Sequence, residues 1–331
     1  MAIFNNITSW VVLSVIFGTV AMLGALGETI NEKVGHLNLG VPGIMYLSGF
    51  LSYISVYSYE SNTANPNGFV VILVAFLVAI TTGAIMGLIY CLISVTFKAN
   101  QNVVGLATTA FGVGFGKFLS YSMNVNDAKA SFSAKIFSAS FYDLFSSSEN
   151  VIGANIGRML VGYGFMTYVA IIILVLAFLF FKKTKYGLNI RAIGESPSTA
   201  DSVGISVFTY KYITTMVGCA ICALGGMTFV LYYGNGAWTI NNNIESIGWL
   251  CVSLVIFASW KHLNIIWGSI LFGFLFWAYN YLPGVIPMPN IIGINELLRI
   301  LPYIITVVIL IINAARKKKD NQPPASLGLA Y

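Results

Sequence analysis

The run 69–97, FVVILVAFLVAITTGAIMGLIYCLISVTF, holds twenty-nine consecutive residues without a charge. A bilayer core of about 30 Å is crossed by about 20 apolar residues rising about 1.5 Å each. This run exceeds that length, so it must tilt or bend. Similar runs occur at 8–26, 41–59, 101–121, 163–181, 211–233, 246–260, 264–282 and 299–313, those at 246–260 and 299–313 being short. The expectation is an all-α polytopic membrane protein of about nine transmembrane helices, with eight to ten as the range. Charged residues are only 8% of the chain, against about 25% in an ordinary soluble domain. Too few charges are present to cover a water-facing surface. The opening MAIFNNITSW lacks a basic leader, and the run after it is long enough to span, so it reads as the first crossing and not a cleaved signal.

Nine crossings place the two ends on opposite sides, and basic residues choose between the orientations. With the N-terminus outside, the inner segments hold Lys33, Lys98, Lys182, Lys183, Lys185, Arg191, Lys211, Lys261, Arg316, Lys317, Lys318 and Lys319, twelve of the seventeen. Lys117, Lys129, Lys135, Arg158 and Arg299 remain outside. The C-terminus is then cytoplasmic. The chain 1–331 reads as one transmembrane domain with an outer loop at 122–162, an inner loop at 182–210 and a polar tail at 314–331. The outer loop is expected to form short helices on the membrane face. The basic cluster in the tail reads as a topology anchor. Small residues spaced by four, Ala79–Gly83–Gly87 and Gly112–Gly116, predict close helix crossings.

Signals for bond chemistry are missing. FGVGFGKF has Phe111 where a phosphate loop needs its first glycine and Phe118 where it needs Ser or Thr. Cys219 and Cys222 form a CxxC in an apolar run, where small packing residues are the ordinary reading, and the four cysteines suggest no disulfide framework. His36 and His262 have no metal-ligand spacing and read as interfacial. No expected span carries an acid or base in its interior, which argues against an ion-coupled transporter and for an energy source on another chain. A self-sufficient secondary transporter and a membrane enzyme stay open as alternatives.

The inner loop contains GESPSTADSVGI with clear helix punctuation. Ser196 suits the N-cap, Pro197 the first helical position and Gly204 the left-handed residue after the last turn, bracketing a helix of about 197–203. Two turns are marginal in isolation, so either a partner holds this helix or it is an ordinary loop helix.

The stretch TKYGLNIRAIGESPSTADSVGISV resembles the cytoplasmic signature of ABC importer permeases for branched-chain amino acids, ribose-type sugars and nucleosides. The match falls on Gly187, Leu188, Arg191, Ala192, Gly194, Glu195, Pro197, Ala200, Gly204 and Ile205. LGETINEKVGHLNLGVPGIM, ANQNVVGLA, LPYIITVVIL and the ending PPASLGLAY are similar to the nucleoside branch, with Lys33 replacing an arginine and Pro42 a glutamate. The segment IESIGWLCVSLVIFASW keeps the frame of a further run of that branch but lacks two of its glycines. The likeness covers nearly the whole chain. It implies that Gly194, Glu195, Ser196, Pro197, Ser198, Thr199, Ala200, Asp201 and Gly204 couple to a separate ATPase, which would hold the ATP and Mg, this chain binding no cofactor. It further implies a second permease, self or paralogue, an extracytoplasmic substrate-binding protein, a nucleoside substrate, and residence among the lipids of a bacterial inner membrane, with no nucleic-acid partner. A permease for ribose or another simple sugar is the alternative within the class.

Between the first two runs lies NEKVGHLNLGVPGIM, Asn31 to Met45. Gly35, Gly40 and Gly43 permit a non-helical break, and Pro42 fits the first turn of the next helix. The polar half, 27–35, reads as a turn. Asn38, Pro42 and Gly43 read as facing the translocation path, since broken backbone at membrane depth needs protein or a wet cavity beside it. Further path candidates are Thr81, Thr82, Thr108 and Thr109 within spans. Trp238, Asn241 and Trp249 on the amide-rich outer segment add aromatic faces that could stack on a base. Threonines bonding back to their own helix and tryptophans at the membrane interface are the competing readings.

Overall fold

The computed structural model describes residues 2–125, 128–140, 151–239, 242–285, 298, 300–308, 311 and 322–329. Twelve helices are resolved in full among them: α1 Ala2–Lys33, α2 Val41–Asn62, α3 Gly68–Cys91, α4 Gln101–Ser122, α5 Ser131–Ser138, α6 Val151–Val161, α7 Phe165–Lys183, α8 Lys185–Glu195, α9 Pro197–Ser202, α10 Val207–Thr228, α11 Ile244–Phe257 and α12 His262–Val285. Residues 300–308 are also helical. No β-strand forms among the described residues; only isolated bridges do, at Lys129–Ala237 and Ser140–Gly164. The chain is an all-α polytopic membrane protein.

Helices α1 and α10 form the centre. α1 packs along α10 and α12, α10 along α2 and α3, and α2 against α4 and α11. The middle of α1 is buried on every side, with Phe17, Val20, Leu23 and Leu26 all at 0% exposure, which marks an interior helix. The crossing of α1 and α10 is set by paired glycines. A Cβ on Gly218 would lie 2.7 Å from Gly27 O, and one on Gly27 would lie 2.6 Å from Cys222 N. Hydrogen in place of a side chain lets the two backbones touch, the usual means of tight packing in lipid. Outer helices face away from the core with large apolar side chains, such as Leu77 and Ile85 on α3 and Leu176 on α7.

Six helices are long and apolar enough to cross a membrane among the described residues: Phe4–Lys33, Gly68–Thr96, Gln101–Ser122, Phe165–Lys183, Val207–Tyr233 and His262–Pro283. α2 has the length, at 22 residues, but carries Ser and Tyr at many positions, and α11 is a shorter apolar helix. The run 299–313 lies partly outside the described residues. The long third run relaxes into a wide π turn at Leu92–Thr96.

Three expectations are corrected. First, 27–35 is not a turn: α1 continues to Lys33, and the break begins at Val34. Second, spans do carry acids and a base: Glu28 and Glu32 on α1 and Lys211 on α10 are all buried. Glu28 and Glu32 stay helical and dry because each finds a partner within the bundle, the condition for burying a polar group. Third, His36 and His262 are interior and not interfacial, at 0% and 6% exposure. The segment 182–210, expected as the inner loop, is mostly helical, as α8, α9 and the start of α10. The segment 122–162, expected as the outer loop, contains α5 and α6.

Candidate functional site

The break at 34–40 is held by side chains from four elements. His36 N–H donates to Asn31 O at 3.1 Å, Leu37 N–H to Gln101 Oε1 at 2.9 Å, and Asn38 N–H to Glu28 Oε1 at 3.0 Å. Gly40 N–H donates to Asn38 Oδ1 at 2.9 Å. On the acceptor side, Leu37 O takes the Tyr90 hydroxyl at 2.9 Å and Leu39 O the Thr109 hydroxyl at 2.7 Å. Broken backbone inside a bundle would otherwise leave these groups unpaired at a cost of about 1–3 kcal/mol each. Glu28 therefore organises the break: one oxygen takes Asn38 N–H and the other takes Asn31 Nδ2 at 2.9 Å. Glu32 accepts from Trp260 Nε1. His36 Nδ1 lies 2.7 Å from Thr215 Oγ1, and its ring meets Tyr90 edge-on at 5.8 Å. Burial, with Lys211 nearby, pushes the His36 imidazole down to about 3, so it stays neutral.

The capped segment at 194–204 is built differently. Ser196 sits extended at φ −152°, its Oγ accepts from Thr199 N–H at 3.4 Å, and Pro197 opens α9. Gly204 closes the segment at φ +82°, a conformation glycine adopts without strain. Ala200 is buried, while Glu195, Ser198, Thr199, Asp201 and Gly204 are exposed and Val203 is 71% exposed.

The C-terminal residues 322–329 join these two regions, a connection the sequence reading missed. Ser326 N–H and Oγ both donate to Gly194 O, at 2.9 and 2.6 Å. Gly328 N–H donates to Gly35 O at 3.2 Å, and Gln101 Nε2 to Leu329 O at 3.0 Å. A Cβ on Gly35, which is at φ +91°, would lie 2.6 Å from Ser326 Oγ. Gly194 also abuts Lys33 O. The PASLGL ending was the available signal: small residues and a glycine after a proline pair predict a turn, though not its docking place.

The remaining path candidates separate into groups. Asn38, Pro42, Gly43, Thr108 and Thr109 come together where α2 crosses α4. A Cβ on Gly43 would lie 2.6 Å from Thr109 Cα, and Gly248 of α11 abuts Pro42. Asn38 Nδ2 points to Cys219 Sγ at 3.4 Å. Thr108 bonds to Val104 O at 2.8 Å, and Thr82 to Val78 O at 2.7 Å. Thr81 bonds to Leu77 O at 2.8 Å on the exposed face of α3, apart from the others. Trp238 is fully buried, donates to Ser120 Oγ at 2.8 Å, and is covered by Tyr46, Phe50 and Tyr53 at 5.4, 5.0 and 5.9 Å. Trp249 is half-buried on α11. Asn241 lies outside the described residues.

A bundle of long apolar helices around a polar-clasped helix break, with a capped helix at one end, is the build of a multi-pass membrane transport subunit. The chain belongs to the family described as branched-chain amino acid transport system, permease component, which matches residues 7–310. It is similar to the Nucleoside ABC transporter permease protein NupC of Lactococcus lactis, 25% identical over 320 residues, with 94% of this chain and 93% of that protein covered. It is similar to the Guanosine ABC transporter permease protein NupQ of Bacillus subtilis, 26% identical over 323 residues, with 94% of each covered. The Putative glucose ABC transporter permease protein TsgC13 of Haloferax volcanii is 28% identical over 263 residues, with 78% of this chain and 72% of that protein covered. The chain is thus a permease component of an ABC transporter.

Proposed function

We propose that this chain forms half of the membrane path of a nucleoside importer. The exposed helix Pro197–Ser202, with Gly194, Glu195 and Gly204 at its ends, seats in a separate ATPase that holds ATP and Mg. A second permease, self or paralogue, completes the path. A substrate-binding protein docks on the outer side, at the loop 122–162 and the segment 283–298. The chain crosses nine times, N-terminus outside and C-terminus inside. Nucleoside import is supported by relatives named for nucleosides and guanosine that match over nearly the whole chain.

One observation carries the mechanism. Gly194, at the root of the exposed helix, accepts two hydrogen bonds from Ser326 and abuts the end of α1 at Lys33. A push on α9 therefore reaches the break at 34–40 through short, direct contacts, and the break sits where α1, α2, α4 and α10 meet. Asn38, Pro42, Gly43, Thr108 and Thr109 are the path-lining set. Thr81, Thr82, Trp238, Asn241 and Trp249 join it as the bundle rearranges. The transport step makes and breaks no covalent bond on this chain.

Uptake of radiolabelled uridine, adenosine and ribose by the reconstituted complex tests the substrate. ATP-dependent uptake of a nucleoside, with ribose excluded, is the expected result. Uptake of ribose or glucose alone would favour a sugar permease, the reading that the Haloferax relative supports. Replacing Pro197 and Ala200 with bulky charged residues is expected to abolish co-purification of the ATPase; full retention would overturn the docking role.

A further inference from the structure

A cavity of about 330 Å³ lies where the end of α1, the end of α7, α8 and the start of α12 meet. Its walls carry Lys33, Lys182, Arg191 and Lys261, together with His262, Asn264 and the apolar Phe178, Phe181, Trp260 and Leu263. No aspartate or glutamate lines it. Two acids bear on Lys33 from outside the lining, Glu195 and Glu32, and Glu32 is engaged by Trp260 Nε1. The cavity is therefore a strongly positive recess.

Its shape is imposed by the turn before α12. Ser259 and Trp260 both adopt left-handed backbone, at φ +52° and +56°, which costs roughly 1–2 kcal/mol per residue. The bond from Trp260 Nε1 to Glu32 helps to hold that turn. The turn aims the first residues of α12, a 24-residue helix, at the recess, and a helix N-terminus favours an anion. His262 Nε2 has no hydrogen-bond partner among the described residues and is shielded beneath the Phe181 ring at 4.8 Å.

We propose that this recess binds the phosphate headgroup of an anionic phospholipid. The apolar surface leading away from it selects a lipid over a free phosphate. Leu263, Trp267 and Leu271, spaced by four on one face of α12, are 43%, 76% and 40% exposed. They form a stripe that starts at the cavity wall and runs along a candidate span. Lys182 lies over the Phe178 ring at 5.3 Å, keeping its stem on apolar surface and its charge at the rim. Basic recesses between membrane helices are known headgroup sites. The inference needs only that the chain spans a membrane, and it is independent of the transported substrate.

The test uses the full chain in neutral detergent micelles doped with brominated phosphatidylglycerol or brominated phosphatidylcholine, read by tryptophan fluorescence quenching. Wild type is expected to be quenched at a lower fraction of the anionic lipid. The exposed pair Arg191→Gln and Lys261→Gln should weaken that preference about fivefold for each residue removed. Lys185→Gln, outside the lining, is the charge control and should leave the preference intact, and Trp267→Phe should remove most of the quenching. Circular dichroism confirms that each variant is folded. Equal quenching by the two lipids, a preference surviving in the double variant, or quenching untouched by Trp267→Phe would each overturn the proposal. Displacement of the brominated lipid by inorganic phosphate alone would reassign the recess to free phosphate.

Discussion

The helix break at 34–40 and the capped segment at 196–204 are both short interruptions between helices, yet they are stabilised in opposite ways. The break is buried and borrows its hydrogen bonds from distant residues: Glu28, Tyr90, Gln101, Thr109 and Gly328. The capped segment is exposed and closes on itself through Ser196, Thr199 and Gly204. A break satisfied by the whole bundle can move only if the bundle rearranges. A helix satisfied locally can be gripped and moved as a unit. Residues 322–329 connect the two, through Ser326 on Gly194 and Gly328 on Gly35.

The sharpest way to break this comparison is at Glu28. Glu28→Ala orphans Asn38 N–H and leaves Asn31 Nδ2 only its long contact to Cys219 Sγ at 3.8 Å, and should destabilise the protein by at least about 1–3 kcal/mol, seen as a large drop in melting temperature in detergent. Glu28→Gln keeps an acceptor and should recover about half of the loss.

Protonation of His36 should weaken the break and spare the capped segment. The buried His36 ring is held down to about 3, against 6.5 in the unfolded chain. The unfolded state therefore binds the proton first, and the contribution of the neutral ring is lost as pH falls below about 6.5. At pH 5 the loss is about 2 kcal/mol. Melting curves of wild type and His36→Gln at pH 7.5 and pH 5 should diverge by that amount; parallel curves would show that the ring is solvated.

Asn38→Leu leaves Gly40 N–H unpaired, worth about 1–3 kcal/mol. A lowered melting temperature would assign Asn38 to holding the break. Unchanged melting with lost uptake would instead place it on the path.

Ser326→Ala removes one of two bonds to Gly194, about 1 kcal/mol. Its signature should be functional, with less substrate moved per ATP at normal assembly. Unchanged coupling would show that the terminal residues transmit nothing.

The smallest effect is expected at Ser196→Ala. Loss of the cap should speed hydrogen exchange in 197–202 about fivefold, equivalent to ~1 kcal/mol, without shifting global melting. A global shift would contradict the local character of this segment.

The two regions also differed in how far they could be read in advance. Ser196, Pro197 and Gly204 announced their helix because a cap is a relation among neighbours. The turn expected at 27–35 was an error of the opposite kind. Glu28 and Glu32 look like residues that must leave the membrane, and they stay helical only because Asn38 and Trp260 meet them inside. Trp238 looked like an interfacial ring or a stacking platform, and its burial under Tyr46, Phe50 and Tyr53 depends on how α2 crosses its neighbours.

By itself the sequence determined the membrane class, the long apolar helices and the capped helix at 197–202, because apolar length and local hydrogen-bond punctuation act over a few turns. Only the tertiary structure decided where α1 ends, which acids are buried, and that the last residues join Gly194 to Gly35. Those outcomes turn on pairings such as Glu32 with Trp260 and Ser326 with Gly194, between groups more than a hundred residues apart. Such pairings leave no periodic trace along the chain.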